Sequence, residues 1–201
     1  MLLYNMPSSG NSYKVRLLMA LLGKTCDTVD VEYLTDALDQ AKATGAMPFG
    51  KAPVLHLDDE RMLPESNAIL CYLAEGTDLI PADAYTRAQM LSWMFWEQNQ
   101  HEGVIAVRAA LRNYPHRAAQ ATPERMADLL ASGNGLLKIM DDHLAGRDWL
   151  VGDSLSLADI CLYAYTHTAE TKGGYDLAPF PALRAWLARI AALPTYKGLD
   201  D

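Results

Sequence analysis

The chain of 201 residues has no stretch that could cross a bilayer as a helix, which takes about 20 consecutive apolar residues. The apolar segment around residues 15–23 carries Arg16 and is flanked by Lys14 and Lys24. Basic residues are few, 17 Lys and Arg against 25 Asp and Glu for a net charge of −8, and they are scattered rather than gathered into a stripe. That balance excludes nucleic acid as a partner on electrostatic grounds. Cysteine is scarce: Cys26, Cys71 and Cys161 are odd in number, far apart and without a C-x-x-C spacing, which leaves no disulfide framework and no thiol redox pair. Cys71 and Cys161 fall in apolar helical patterns and read as small buried hydrophobes. The opening MLLYNMPSSGNSYKVR puts its charges after its apolar residues, the reverse of a secretion signal, so a cytoplasmic protein is expected. There is no internal repeat and no low-complexity segment.

What is present falls into two halves. Met1 to Met6 reads as a short buried strand, broken by Pro7-Ser8-Ser9-Gly10-Asn11, and from Ser12 onward Val15, Leu18, Met19 and Leu22 recur at helical spacing. Gly23 ends that helix, with Lys24 placed beside its negative end. Val29, Val31 and Tyr33 alternate on one face of a second strand, giving a βαβ unit with a parallel strand pair. A weaker helical pattern follows over 34–47. After Gly76-Thr-Asp-Leu-Ile-Pro-Ala-Asp83 the composition turns all-helical. One long amphipathic helix is expected from Ala84 to about Tyr114. A second begins at Thr122-Pro123-Glu124, with Thr122 as cap, and runs to Leu144 despite Gly133 and Gly135. Ser156-Leu157-Ala158-Asp159 is a capping-box signal for a third, and a last helix covers Ala182 to Leu193.

The stretch from Gly50 to Glu75 carries both scaffold and site. Pro53 heads an apolar strand, Asp58-Asp59-Glu60 makes a turn, Met62-Leu63 forms a second short strand, and Pro64-Glu65-Ser66 opens a helix. Proline at a strand head removes one ladder donor and holds Ala52 extended, and in a tight turn the Ala52-Pro53 bond could be cis. The edge beside Val54 is then expected to be open to a peptide-like ligand by strand addition. The helix start at Glu65 and Ser66 favours a carboxylate. A small acidic peptide suits both halves; a structural hairpin with an ordinary helix cap accounts for the same pattern.

Several segments in order along the chain resemble the cytosolic glutathione transferases. Met47-Pro-Phe-Gly-Lys-Ala-Pro-Val-Leu55 is similar to the family's N-P-x-G-x-V-P-x-L segment, and Glu65-Ser-Asn-Ala-Ile69 to its E-S-x-A-I helix start. Val151-Gly-Asp-Ser-Leu-Ser-Leu-Ala-Asp-Ile160 resembles the capping segment of its second domain, and Phe180-Pro-Ala-Leu-Arg-Ala-Trp-Leu187 its closing helix. The resemblance implies an α/β thioredoxin-like N-terminal domain over 1–76, a linker over 77–83, and an all-α C-terminal helical domain over 84–201. It implies glutathione as co-substrate, a homodimer, and no metal. By motif, Val54 pairs with the cysteinyl backbone beside Pro53, Glu65 and Ser66 hold the γ-glutamyl end, and Lys51 approaches the glycyl carboxylate.

Chemistry with glutathione turns on a thiol whose free pKa near 8.5 leaves only a few per cent ionised at neutral pH. Lowering it by two units takes about 2.7 kcal/mol of preferential stabilisation of the anion. A hydroxyl, helix-start N–H groups and an amide can supply that together, and Ser8-Ser9-Gly10-Asn11-Ser12 offers all three. Ser9 is the first choice for the sulfur ligand, with Asn11 assisting; Ser8 and Ser12 are the other choices. The turn resembles bacterial theta- and nu-like members and departs from the zeta S-S-C-x-W-R-V-R motif by the absence of its cysteine. In the helical half, Trp96, His101 and Arg108 are candidates to line a substrate pocket, with packing or an interface as the competing role for the aromatics. Three readings follow: transfer of the thiolate to a small apolar electrophile, glutathione-dependent reduction of a disulfide or peroxide at the same thiol, and a non-catalytic binding module.

Overall fold

A computed structural model of the chain describes residues 1–201, which form two compact units, 1–80 with 193–201, and 81–192. In the first, β1 (Leu2–Asn5), α1 (Gly10–Leu21) and β2 (Asp27–Asp30) make the βαβ unit, followed by α2 (Asp36–Ala43), β3 (Val54–His56), β4 (Met62–Pro64) and α3 (Ser66–Leu73). The sheet order is β2-β1-β3-β4, parallel between β1 and β2 and antiparallel elsewhere. Tyr4 lies opposite Val54, and both face a cluster with Met6, Val31, Leu38, Ala41 and Met47. The next pair in register, Leu3 and Leu55, points to the other face, where both are fully buried.

Helices α1 and α3 pack together. The Ser66 hydroxyl bonds the Asn11 side-chain oxygen at one end, and at the other Lys24 Nζ donates to the Leu73 carbonyl at 2.7 Å. The two helices therefore run in the same direction with both N-termini together. Lys24 serves the end of α3 rather than that of α1, which Gly23, at φ 62°, and its neighbour close with their own N–H groups. The final segment 193–201 belongs to this first unit, contrary to the expectation that the helical domain runs to 201: Tyr13 donates to the Lys197 carbonyl at 2.7 Å, and Leu199 is buried.

The second unit contains α4 (Ala84–Trp96), α5 (Val107–Asn113), α6 (Pro123–Leu144), α7 (Leu157–Thr166) and α8 (Pro181–Ala191). The expected single helix from 84 to 114 is interrupted without bending away: residues Glu97–Ala106 are wound as a π-helix between α4 and α5. Burial recurs there every four residues, at Glu97, His101 and Ile105. Thr122 caps α6 through the Arg125 N–H, with Pro123 in the first turn. Gly133 lies against Tyr175, whose ring a Cβ would meet at 2.3–2.5 Å, whereas Gly135 has open space.

Asp159 organises the α7 start. Its carboxylate accepts from the Ser156 N–H and hydroxyl, the Leu150 N–H and the Trp186 Nε1, each at 2.9 Å, and it is fully buried. Burial pushes this carboxyl above the usual range, against four donors that pull it down.

Candidate active site

The last residue of β1, the first of β3 and the last of β4 lie at one end of the sheet, because β3 runs antiparallel to both neighbours. Both following helices, α1 and α3, start there. Val54 is opposite Pro64, the last pair of the β3–β4 ladder, so Pro53 on one strand and Glu65 on the other follow directly from it. The Ala52-Pro53 peptide is cis.

This arrangement corrects the expectation of an open edge at Val54. Strand β3 is interior, and Val54 has ladder partners on both sides, Tyr4 and Pro64. The main chain left outside the ladder is that of Ala52, which joins no turn bond either. Its N–H and C=O are the pair that an extended peptide can meet at this end of the sheet. Sequence reasoning missed this residue; the pointer to it was Pro53, whose own nitrogen cannot donate and whose predecessor must be extended.

At neither helix start does the side chain of the N-cap residue make a capping bond. Ser9 has extended backbone at φ −85° and ψ 128° and no capping bond from its side chain, and α1 has no acidic residue in its first turn. At α3 the cap position is Glu65, also without a side-chain bond and with no acid in the turn that follows. By contrast α2 is capped by Thr35, α4 by Asp83 and α6 by Thr122. Two parallel helices thus present their positive poles side by side, a setting that stabilises anions.

Glu65 holds φ 72° and ψ 113°, a region that costs a non-glycine residue about 1–3 kcal/mol and that clusters at functional sites. It is exposed, while Ser66 is buried. Ser66 donates to Asn11 Oδ1 at 3.2 Å, joining the two first turns. Ser9 and Asn11 are half-buried, and Lys51 is exposed just ahead of Ala52. The other serines of the turn have separate duties. Ser12 Oγ is buried and accepts from the Met6 N–H at 3.0 Å, and the Ser8 N–H donates to Glu32 Oε2 at 3.2 Å. Glu32, unremarked in the sequence, therefore braces the turn from the end of β2. His56 is engaged by the Ala46 carbonyl at 2.8 Å and by Tyr4, and no cluster of His, Cys, Asp and Glu is placed to hold a metal.

The candidates in the helical unit have partners within that unit. Arg108 is buried, with Nε donating to the Gly173 carbonyl at 2.9 Å and a second bond to that of Met126. His101 is fully buried, 3.0 Å from the Thr166 hydroxyl. Trp96 is half-buried between Trp93 and His101. Arg108 and His101 thus spend their polar groups on the unit's own backbone and core, where an anionic substrate cannot meet them.

Comparison with known proteins agrees with this geometry. Residues 3–78 match the family described as "Glutathione S-transferase, N-terminal domain" and residues 104–194 the one described as "Glutathione S-transferase, C-terminal domain". A glutathione S-transferase 3 from Zea mays is 33% identical over 97% of this chain and 90% of its own length. A disulfide-bond oxidoreductase from Escherichia coli is 32% identical over 65% of this chain and 59% of its own. The crystal structure of a glutathione S-transferase from Pseudomonas fluorescens superposes with a TM-score of 0.92 at 38% identity, covering 100% of this chain and 98% of that one. With both halves matched, and a thioredoxin-like mixed sheet followed by a helical unit, the chain belongs to the glutathione S-transferase family.

Proposed function

We propose that this protein is a glutathione transferase whose tripeptide lies across the paired helix starts of the first unit. The observation that carries the reading is the bond between Ser66 and Asn11, which brings the N-terminal ends of α1 and α3 to one place. The γ-glutamyl carboxylate takes the α3 start at Glu65 and Ser66, and the Glu65 carboxylate meets the α-ammonium. The cysteinyl main chain pairs with Ala52, next to Pro53 and Val54, and Lys51 faces the glycyl carboxylate. The sulfur then points to the α1 start, where the Ser9 hydroxyl and the first-turn N–H groups donate to the thiolate and Asn11 holds the geometry.

In the reaction the thiol proton leaves to solvent. The thiolate attacks an electrophilic carbon of a small apolar substrate, the C–S bond forms, and the leaving group departs with its electron pair. The test is calorimetric titration with glutathione, the ultraviolet absorbance of bound thiolate against pH, and turnover of a chloronitroaromatic. A bound thiol that titrates at the free value would refute the reading.

One observation favours a second outcome at the same site: the similarity to a disulfide-bond oxidoreductase. There the thiolate attacks a disulfide sulfur, releases one thiolate, and a second glutathione resolves the mixed disulfide. Turnover of a glutathionylated disulfide without turnover of the aromatic selects it. A two-fold dimer belongs to the same proposal, with the exposed Phe49, Met62 and Tyr72 as apolar side chains for a partner to cover.

A further inference from the structure

The segment that returns to the first unit after α8 meets α1 at two places. Tyr13 donates its hydroxyl to the Lys197 carbonyl at 2.7 Å, and Arg16 donates from one terminal nitrogen to the Leu199 carbonyl at 3.0 Å. The same Arg16 nitrogen donates to the Pro7 carbonyl at 3.0 Å. Pro7 lies two residues before Ser9, within the turn whose N–H at Ser9 bonds the Met6 carbonyl. One guanidinium group thus ties the returning segment to the thiol-facing turn. Arg16 is half-buried, stacks over the Tyr13 ring with its carbon 5.7 Å from the centroid, and has its Nε buried without a partner. Burial pulls its pKa down, and Asp30 and Asp200 act in the opposite direction. Leu199 is 7% exposed, so the segment is seated rather than draped.

We propose that residues 196–201 are a strap that sets the position of Ser9 through Arg16, making Arg16 a positioning residue for thiol ionisation. The inference rests on the function proposed above and adds to it a control element distant in sequence. Serine donates one hydrogen bond, and its contribution to the thiolate depends on distance and angle. The turn it sits on is held by Glu32 on one side and by Arg16 on the other. Loosening one hold leaves the γ-glutamyl tether on α3 untouched. The strap therefore governs the thiol and not the binding of the tripeptide.

The experiment compares four proteins: unaltered, Arg16→Gln, Arg16→Lys, and the strap-side double variant Tyr13→Phe with Leu199→Ala. Circular dichroism and thermal melting report folding, calorimetry the Kd for glutathione, thiolate absorbance the bound pKa, and kinetics kcat against KM over pH. Expected in Arg16→Gln and in the double variant are a Kd within about twofold of the unaltered protein and a bound thiol pKa higher by about one unit. That shift is tenfold less thiolate below the pKa, with kcat recovering at alkaline pH. Arg16→Lys keeps the charge, but its ammonium ends one bond short of the terminal nitrogen that reaches both carbonyls, and it is expected to follow Arg16→Gln. If Arg16→Lys is normal while Arg16→Gln is shifted, the effect is one of charge and the strap is overturned. Unshifted pKa values in the strap-side variant, or in both Arg16 variants, overturn it as well. If the unaltered protein itself fails to lower the thiol pKa, the proposed function falls and the strap with it.

Discussion

The Ser66 hydroxyl donates to the Asn11 side-chain carbonyl at 3.2 Å, and this bond spans 55 residues of sequence to join the first turns of α3 and α1. In the proposed function these two helices of like direction carry the acid tether and the thiolate donors. Ser66→Ala removes the brace between the two helix starts and leaves the backbone N–H groups of α3 in place. A neutral hydrogen bond contributes about 0.5–1.5 kcal/mol, so the Kd for glutathione is expected to rise roughly twofold to tenfold, read by calorimetry. An unchanged Kd would mean that the brace plays no part in binding.

Ser9→Ala and Asn11→Ala separate the donor from its support. The thiolate is the form being stabilised, so losing a donor raises the bound pKa. The acid limb of kcat/KM is expected to move to higher pH by about one unit in Ser9→Ala. Asn11→Ala should weaken glutathione binding through Ser66 and shift the limb less. The reverse ranking would transfer the sulfur contact to Asn11.

Two glycines two residues apart in α6 answer a question of space. Gly133→Ala drives a methyl into the Tyr175 ring and is expected to destabilise by about 2 kcal/mol or more. Gly135→Ala meets nothing and should stabilise by roughly 0.5–1 kcal/mol, since glycine is the poorer helix former. Urea unfolding of both variants measures the difference, and equal effects would contradict the packing.

Asp159→Ala leaves the Trp186 indole, the Leu150 N–H and the Ser156 N–H in the interior without their acceptor. An unsatisfied buried group costs about 1–3 kcal/mol, so the loss is expected to exceed about 3 kcal/mol and to lower the soluble yield. A variant within 1 kcal/mol of the parent would mean that water replaces the carboxylate, on the same scale.

At the alkaline end Tyr175 supplies a pH dependence. Its phenol donates to the Leu129 carbonyl at 2.9 Å, and burial raises its pKa from 10.0 to about 12. A raised folded value contributes stability that is complete below the unfolded pKa and is lost as pH climbs through the folded one. Stability should therefore decline between pH 10 and about 12. Tyr175→Phe, less stable at neutral pH, should show a flatter decline across that window in unfolding midpoints.

Much of the architecture could be read before any coordinates, because local chemistry announces it. Thr122-Pro123, Ser156 with Asp159, and the Gly50-to-Ser66 hairpin each satisfy their own backbone within a few residues, so their signals are local. What escaped was non-local. The pairing of Val54 with both Tyr4 and Pro64 depends on strand order, which moved the open main chain from Val54 to Ala52. The π-winding of 97–106 left no mark in the apolar spacing, which reads the same as that of an α-helix. Arg108 looked like a greeting for an anion until the carbonyls of Gly173 and Met126, far along the chain, were seen to occupy it.

Glu65 carries a tension of its own. At φ 72° its backbone would be at ease as glycine, and nothing in the fold calls on its side chain. In a lineage that no longer held the tripeptide, drift toward glycine would meet little resistance here. The residue found at this one position in descendants of the chain would then tell users of the tripeptide from those that kept only its scaffold.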